Sequence, residues 1–272
     1  MADQRSRRTS DWTCDEQLET AARYVGAVRA SAGPAMTLRA GLYRPGIAAV
    51  VEVLRSLPVV DAPFSDGPAG REMRSWFALG RGLFLGRAPV ALLRVPESRA
   101  EYLRGRPRQA LRTNVARATA MGISCAQVTD PAELAEVVAR VAARRDQDPV
   151  TMIRQDVDPA MDRRFTVARD AAGEPVALSE TWLDGEWAGL VTLVTVPGEG
   201  DSQVLRYLLH LETVTDLIGC GVRMLAVSGS MLLTSAGTRY FQRRTGFVPV
   251  WLRPVPGSVA HPAPAVRATV PA

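Results

Sequence analysis

The stretch "FTVARDAAGEPVALSETWLDGEWAGLVTLVTV" (165–196) reads as three antiparallel strands. Its apolar and β-branched runs are broken by Ala172-Gly173 and Asp184-Gly185, pairs suited to tight hairpin turns. Upstream, "ISCAQV" reads as a strand, and "AELAEVVARVAARR" as a helix opened by Asp130-Pro131, with Asp130 or Thr129 as N-cap and Pro131 at the first helical position. Downstream, "SQVLRYLLHLETVTDLIG" places Val204, Leu208, Leu211 and Ile218 on one helical stripe. "VRMLAVSGS" then reads as a strand, and "GTRYFQRRTGF" (237–247) as a short helix closed by Gly246. "FVPVWLRP" is a last strand. A strand–helix–strand crossover over 187–228 makes the sheet mixed. The expected class is α/β (α+β): a mixed, mostly antiparallel central sheet flanked by helices, with an N-terminal helical and hairpin extension.

Around this half the chain divides into a polar, disordered segment 1–12, an N-terminal subdomain 13–121, the catalytic domain 122–253 and a Pro/Ala-rich flexible tail 254–272. Within the subdomain, 15–31 is helical and "GLFLGRAPVALLRV" (82–95) looks like two short strands. The 272 residues suffice for a substantial core, and 47% hydrophobic with 22% charged is ordinary for a soluble globular protein. No lysine occurs, so all 33 basic residues are arginine and the formal net charge is +5. Compositional bias explains the lysine deficit but not where arginines cluster, and the guanidinium fork suits phosphates and carboxylates. Cys14, Cys125 and Cys220 match no disulfide framework or zinc spacing, which points to the cytoplasm with no metal and no bound cofactor. No apolar run reaches the ~18 residues that span a bilayer, so no membrane insertion is expected.

Read at 100° per residue, Phe241 and Thr245 share one side of the closing helix, while Tyr240, Arg243 and Arg244 share the other and Arg239 lies at its margin. The outer side is either a solvated face or an anion-gripping one. A second pair, Arg108 and Arg112, lies one turn apart in "RPRQALRTNVARATAMGI". Arg206 near the start of the long helix is a further candidate phosphate contact or a surface residue. Glu180 interrupts "ALSETW", where a carboxylate costs free energy unless partnered; it is a candidate base or amine anchor, or an edge-strand residue facing water. Ser228 and Ser230 follow a strand end, where clefts form, or simply make a Ser-Gly-Ser turn. His210 reads as a packed or surface histidine.

The element order resembles the GNAT acyltransferase fold over about residues 122–253, with "YFQRRTGF" similar to its aromatic-x-x-x-x-Gly-Phe closure. Two departures stand out. "PGEGDSQVLRYLL" lacks the Gly-rich loop that cradles the pyrophosphate of acyl-CoA, with Gln203, Val204 and Leu205 where backbone would approach phosphate. Gln242 occupies the place of the tyrosine many members use as general acid. Both departures resemble the Fem-type aminoacyltransferases, which draw amino acids from aminoacyl-tRNA. In that branch a basic Arg-x-x-x-Arg segment, here Arg108 and Arg112, leads into the catalytic half, and a Phe-Lys-x-x-Phe-Gly pattern closes it. In "FQRRTGF", Gln242 replaces the lysine and Thr245 the second aromatic. This resemblance implies transfer of an amino acid from aminoacyl-tRNA to a small-molecule amine or a cell-wall precursor. Glu180, Ser230 and Tyr240 would be catalytic, and Trp182, Thr192 and Ser228 would contact substrate. Arg108, Arg112, Arg206, Arg239, Arg243 and Arg244 would hold phosphates, while Tyr240, Trp182 or Trp187 would stack on an unpaired base. The alternatives are an acyl-CoA-dependent N-acyltransferase and a non-catalytic GNAT-like module that binds RNA or protein.

Overall fold

A computed structural model describes residues 15–30, 44–78, 88–154, 157–198, 202–227, 231 and 234–257. Before the sheet's first strand come helices α1 (Asp15–Ala30) and α2 (Arg44–Ser56), then β1 (Val59–Phe64), α3 (Pro68–Ala78) and β2 (Ala88–Arg94). A short α4 (Arg99–Tyr102) and a 3-10 turn (Arg106–Arg108) lead into α5 (Gln109–Ala120). The second half runs β3 (Ser124–Val128), α6 (Pro131–Arg144), α7 (Pro149–Met152), β4 (Arg163–Arg169), β5 (Pro175–Asp184) and β6 (Trp187–Thr195). Then come α8 (Ser202–Gly219), β7 (Met224–Val227), α9 (Ala236–Thr245) and β8 (Val248–Pro256).

The fold is mixed α/β. Among the described residues one eight-stranded sheet runs β1-β8-β2-β7-β6-β5-β4-β3. The β3 to β6 meander is antiparallel throughout, whereas β6 with β7 and β1 with β8 are parallel. The local signals carry through: Asp130 accepts from the backbone N–H groups of Ala132 and Glu133, and Gly173 and Gly185 take positive φ in their turns. Gly246 ends α9 at φ 94°, pressed against the Arg108 guanidinium, so a side chain there would meet both strain and a collision.

The strands of the N-terminal portion join the same sheet. β2 lies between β7 and β8, pairing antiparallel with both, and β1 completes the edge beside β8. The sheet therefore runs straight across the boundary drawn at 121, and the described part of 13–121 has no sheet of its own. Of the proposed strand pair in 82–95, residues 82–87 lie outside the described residues, as do 1–12 and 258–272.

Two layers of helices cover the sheet. On one side α8 buries Val204, Leu208, Leu211 and Leu217, the last replacing half-buried Ile218 as the end of the stripe. On the other, α3 packs Met73 and Phe77 against Trp182, Trp187 and Leu252, while α6 packs Val137, Val138 and Val141 against Phe165 and Leu178. Gly189 lets the Trp76 ring lie against β6, where a Cβ would come within 2.9 Å of it.

Candidate functional site

Among the described residues β6 and β7 pair from Trp187↔Met224 to Leu190↔Val227, and β6 continues to Thr195 beside β5. On β6, residues 187–190 are buried and 191–194 half-buried. Leu190, Val191 and Leu193 of β6, Val227 of β7, Arg206 of α8, and Thr238, Phe241 and Gln242 of α9, with Phe247, surround an open space. It forms a cavity of about 180 Å³. Crevices at the ends of strands in mixed sheets commonly hold ligands.

Two polar side chains in this cavity lack partners. Gln242 is 3% exposed, and its Oε1 is buried without a hydrogen-bond donor. Arg206 has its Nε buried and unbonded, while its guanidinium lies 5.6 Å from the Phe241 ring centre. Burial pushes the Arg206 guanidinium below its usual value; Tyr207 opposes this and the nearby cation of Arg145 adds to it. Arg145 itself bonds the carbonyl of Thr195 at the far end of β6. Val204 and Leu205 are fully buried under α8, so neither obstructs the helix start as the sequence implied; of that trio only Gln203 is exposed.

Glu180 lies elsewhere. It is 0% exposed in a strand buried on both faces, so it is neither an edge-strand residue nor open to an incoming amine. Its Oε1 accepts from Arg163 Nε at 2.9 Å, Arg163 Nη2 at 2.6 Å and Trp182 Nε1 at 2.7 Å. The partner that burial demands is thus an arginine of β4, and the geometry makes Glu180 an internal ion pair rather than a base. Trp182 is fully buried against Trp76, with Arg154 over its ring, and Trp187 is 6% exposed against Phe64. Neither can stack on a nucleobase. Thr192, paired with Glu180, bonds the carbonyl of Met152.

The six arginines separate into four kinds. Arg239 is buried, with Nη2 3.1 Å from Glu19 Oε2 and a bond to the Thr234 carbonyl, so it fastens α1 to α9 instead of facing an anion. Arg112 is occupied by the carbonyls of Leu103 and Gly105. Arg108 lies over the Tyr102 ring at 5.3 Å with its Nη1 3.5 Å from the Arg244 carbonyl, where a cation complements a helix C-terminus. Arg243 reaches Glu19 at 3.8 Å. Arg206 faces the cavity. Arg244 is exposed, its guanidinium 5.1 Å from the ring of Tyr240, itself 53% exposed and on the opposite side of α9 from Gln242. The two arginine segments, 136 residues apart, do meet, since Arg108 touches the last turn of α9.

Ser228 and Ser230 lie outside the described residues, immediately after Val227 of the cavity wall. His210 is packed: its ring sits among Phe241, Phe247 and Tyr102. Tyr102 donates its hydroxyl proton to the Thr245 carbonyl at 2.7 Å, so His210 Nε2–H donates to Tyr102 Oη at 2.8 Å and Nδ1 is a bare acceptor. Burial, reinforced by Arg108, holds the His210 pKa down to about 3, and the ring is neutral. Gln242, which the sequence marked only as a replacement for a tyrosine or a lysine, lines the cavity. Its signal was its place one residue after Phe241, on the inward half of α9.

No protein-family model and no curated protein sequence matches the chain. Among solved structures it is similar to a GCN5-related N-acetyltransferase from Kribbella flavida, at 15% identity and TM-score 0.38, covering 61% of this chain and 56% of that one. L-PGS from Bacillus licheniformis is similar at 13% identity and TM-score 0.42, covering 60% of this chain and 57% of that one. A tandem GNAT protein from the clavulanic acid biosynthesis pathway is similar at 15% identity and TM-score 0.40, covering 76% of this chain and 67% of that one. The chain thus spans a little over half the length of the first two. These likenesses give no support to the Fem-type branch specifically, and they are loose enough that the functional reading rests on the site alone. Among the described residues no helix is long and apolar enough to cross a membrane.

Proposed function

We propose that the protein is an amide-forming acyltransferase that moves an amino acid from aminoacyl-tRNA to a small-molecule amine or a cell-wall precursor. One observation carries the choice of donor. α9 lines the β6/β7 cavity with Thr238, Phe241 and Gln242, and on its outer side presents Tyr240 and Arg244 next to the segment bearing exposed Arg104 and Arg106. A single short helix thus joins a small cavity to an arginine surface with an exposed ring, the pairing that a 3′-terminal ester on an RNA end requires. Amide formation needs a polarised carbonyl and a stabilised oxyanion, and Arg206, half-buried at the cavity wall, supplies a cation for it. Glu180 is assigned no proton transfer.

The acyl-CoA reading is favoured by a different observation: with Val204 and Leu205 turned inward, the start of α8 is open to a phosphate. Purified protein incubated with charged tRNA, with and without RNase, and with acetyl-CoA in parallel, against a panel of amines, separates the two. RNase-sensitive amide product supports the tRNA donor, and product from acetyl-CoA alone replaces it with the acyl-CoA reading.

A further inference from the structure

Among the described residues four buried side-chain atoms have no partner: Glu180 Oε2, Arg206 Nε, His210 Nδ1 and Gln242 Oε1. A buried polar atom left unbonded costs roughly 1–3 kcal/mol, so each calls for a physical reason. Glu180 satisfies its charge through its other oxygen, and His210 Nδ1 is enclosed by aromatic rings. The remaining two, one donor and one acceptor, belong to residues that line the same cavity.

We infer that Gln242 and Arg206 form an α-aminoacyl subsite, selective for a free α-amine and an apolar side chain. This inference rests on the aminoacyl-donor reading and specifies what that donor carries. Gln242 Oε1 can only accept, so it calls for an N–H; an α-amino group provides one, and a simple acyl group does not. Arg206 Nε can only donate, which suits the ester carbonyl oxygen. The rest of the wall is apolar apart from the Thr238 hydroxyl, with Leu190, Val191, Leu193, Val227, Phe241 and Phe247, and gives a cationic side chain no counter-ion. A volume of about 180 Å³ exceeds the ~150 Å³ that holds benzene, so an isobutyl or phenyl group fits.

The test uses non-hydrolysable analogues in which an amino acid is joined by an amide to 3′-amino-3′-deoxyadenosine, with binding followed by calorimetry. The leucyl analogue is expected to bind at least tenfold more tightly than N-acetyl-leucyl or lysyl analogues, which is about 1.4 kcal/mol. Gln242→Met should remove the preference for the free amine, while Gln242→Glu, which keeps an acceptor at the same place, should retain it. Equal binding of leucyl and N-acetyl-leucyl forms by the unaltered protein overturns the inference whatever the variants do. So does failure of every analogue to bind while charged tRNA still serves as donor, and in that case the donor reading stands. If acetyl-CoA alone supports transfer, the donor reading falls and the subsite falls with it.

Discussion

The two faces of the central sheet each bury polar side chains, and they do so in opposite ways. Under α3 and α6, Glu180 is closed off by Arg163 and the Trp182 indole, with Trp76 and Arg154 packed around them. Under α8 and α9, Arg206 and Gln242 face a cavity with polar atoms unmet. A buried carboxylate with an internal arginine is part of the architecture. Arg206 and Gln242 each keep one buried polar atom unbonded at the cavity, and the proposed subsite rests on that difference. The contrast reverses the weight the sequence placed on Glu180 and transfers it to α9.

The largest effect that would break this contrast is on turnover. Arg206→Met keeps the packing on Phe241 but removes the cation, and it should lower the amide-forming rate about 10²–10³-fold with little change in melting temperature. Steady-state kinetics beside a thermal melt would show it, and a large fall in melting temperature with an intact rate would place Arg206 among the structural arginines.

Glu180→Gln should show the converse. Removing one partner of a buried pair leaves Arg163 uncompensated, so denaturant unfolding should report a loss of about 3 kcal/mol. Turnover per folded molecule should hold. Unchanged stability would mean the pair is not the anchor its geometry describes.

His210 sharpens the comparison on the cavity side. Its pKa is lowered in the fold, from 6.5 to about 3, so between those values the unfolded chain binds the extra proton. Its contribution is therefore present above about pH 6.5 and is lost as pH falls toward 3. The slope on the acid side should approach about 1.4 kcal/mol per pH unit. His210→Phe should flatten that part of the profile relative to the unaltered chain, and an unchanged profile would deny the ring its neutral, buried state.

The smallest effect is at the surface. In filter binding of tRNA across salt concentrations, Arg244→Ala should reduce the log–log slope by about one unit, equally for tRNAs of different sequence. An unaltered slope would make that arginine a bystander.

What was legible in the sequence was local. The 100° spacing in α9 places Phe241 and Thr245 inside and Tyr240 outside, and Gly246 caps the helix in the left-handed region. The three-strand meander follows from alternation and two turns, and burial of His210 was one of the readings its helix allowed. What failed was non-local. Arg239 looked marginal because nothing nearby in sequence announces Glu19, 220 residues away. Glu180 looked catalytic because its partner Arg163 sits on a neighbouring strand. The insertion of β2 between β7 and β8 depends on backbone pairing that side-chain patterns do not encode. The arginines at 108 and 112 stand out in the sequence as a pair one turn apart, but one bonds the carbonyl of Arg244 and the other those of Leu103 and Gly105.

The most direct measurement is a paired one on the two faces. Arg206→Met and Glu180→Gln are each assayed for amide formation from charged tRNA, per folded molecule, alongside denaturant unfolding of the same preparations. The account predicts a slow but stable Arg206→Met protein and an active but destabilised Glu180→Gln protein. A stable, inactive Glu180→Gln protein beside a fully active Arg206→Met protein would contradict it and return the chemistry to the other face of the sheet.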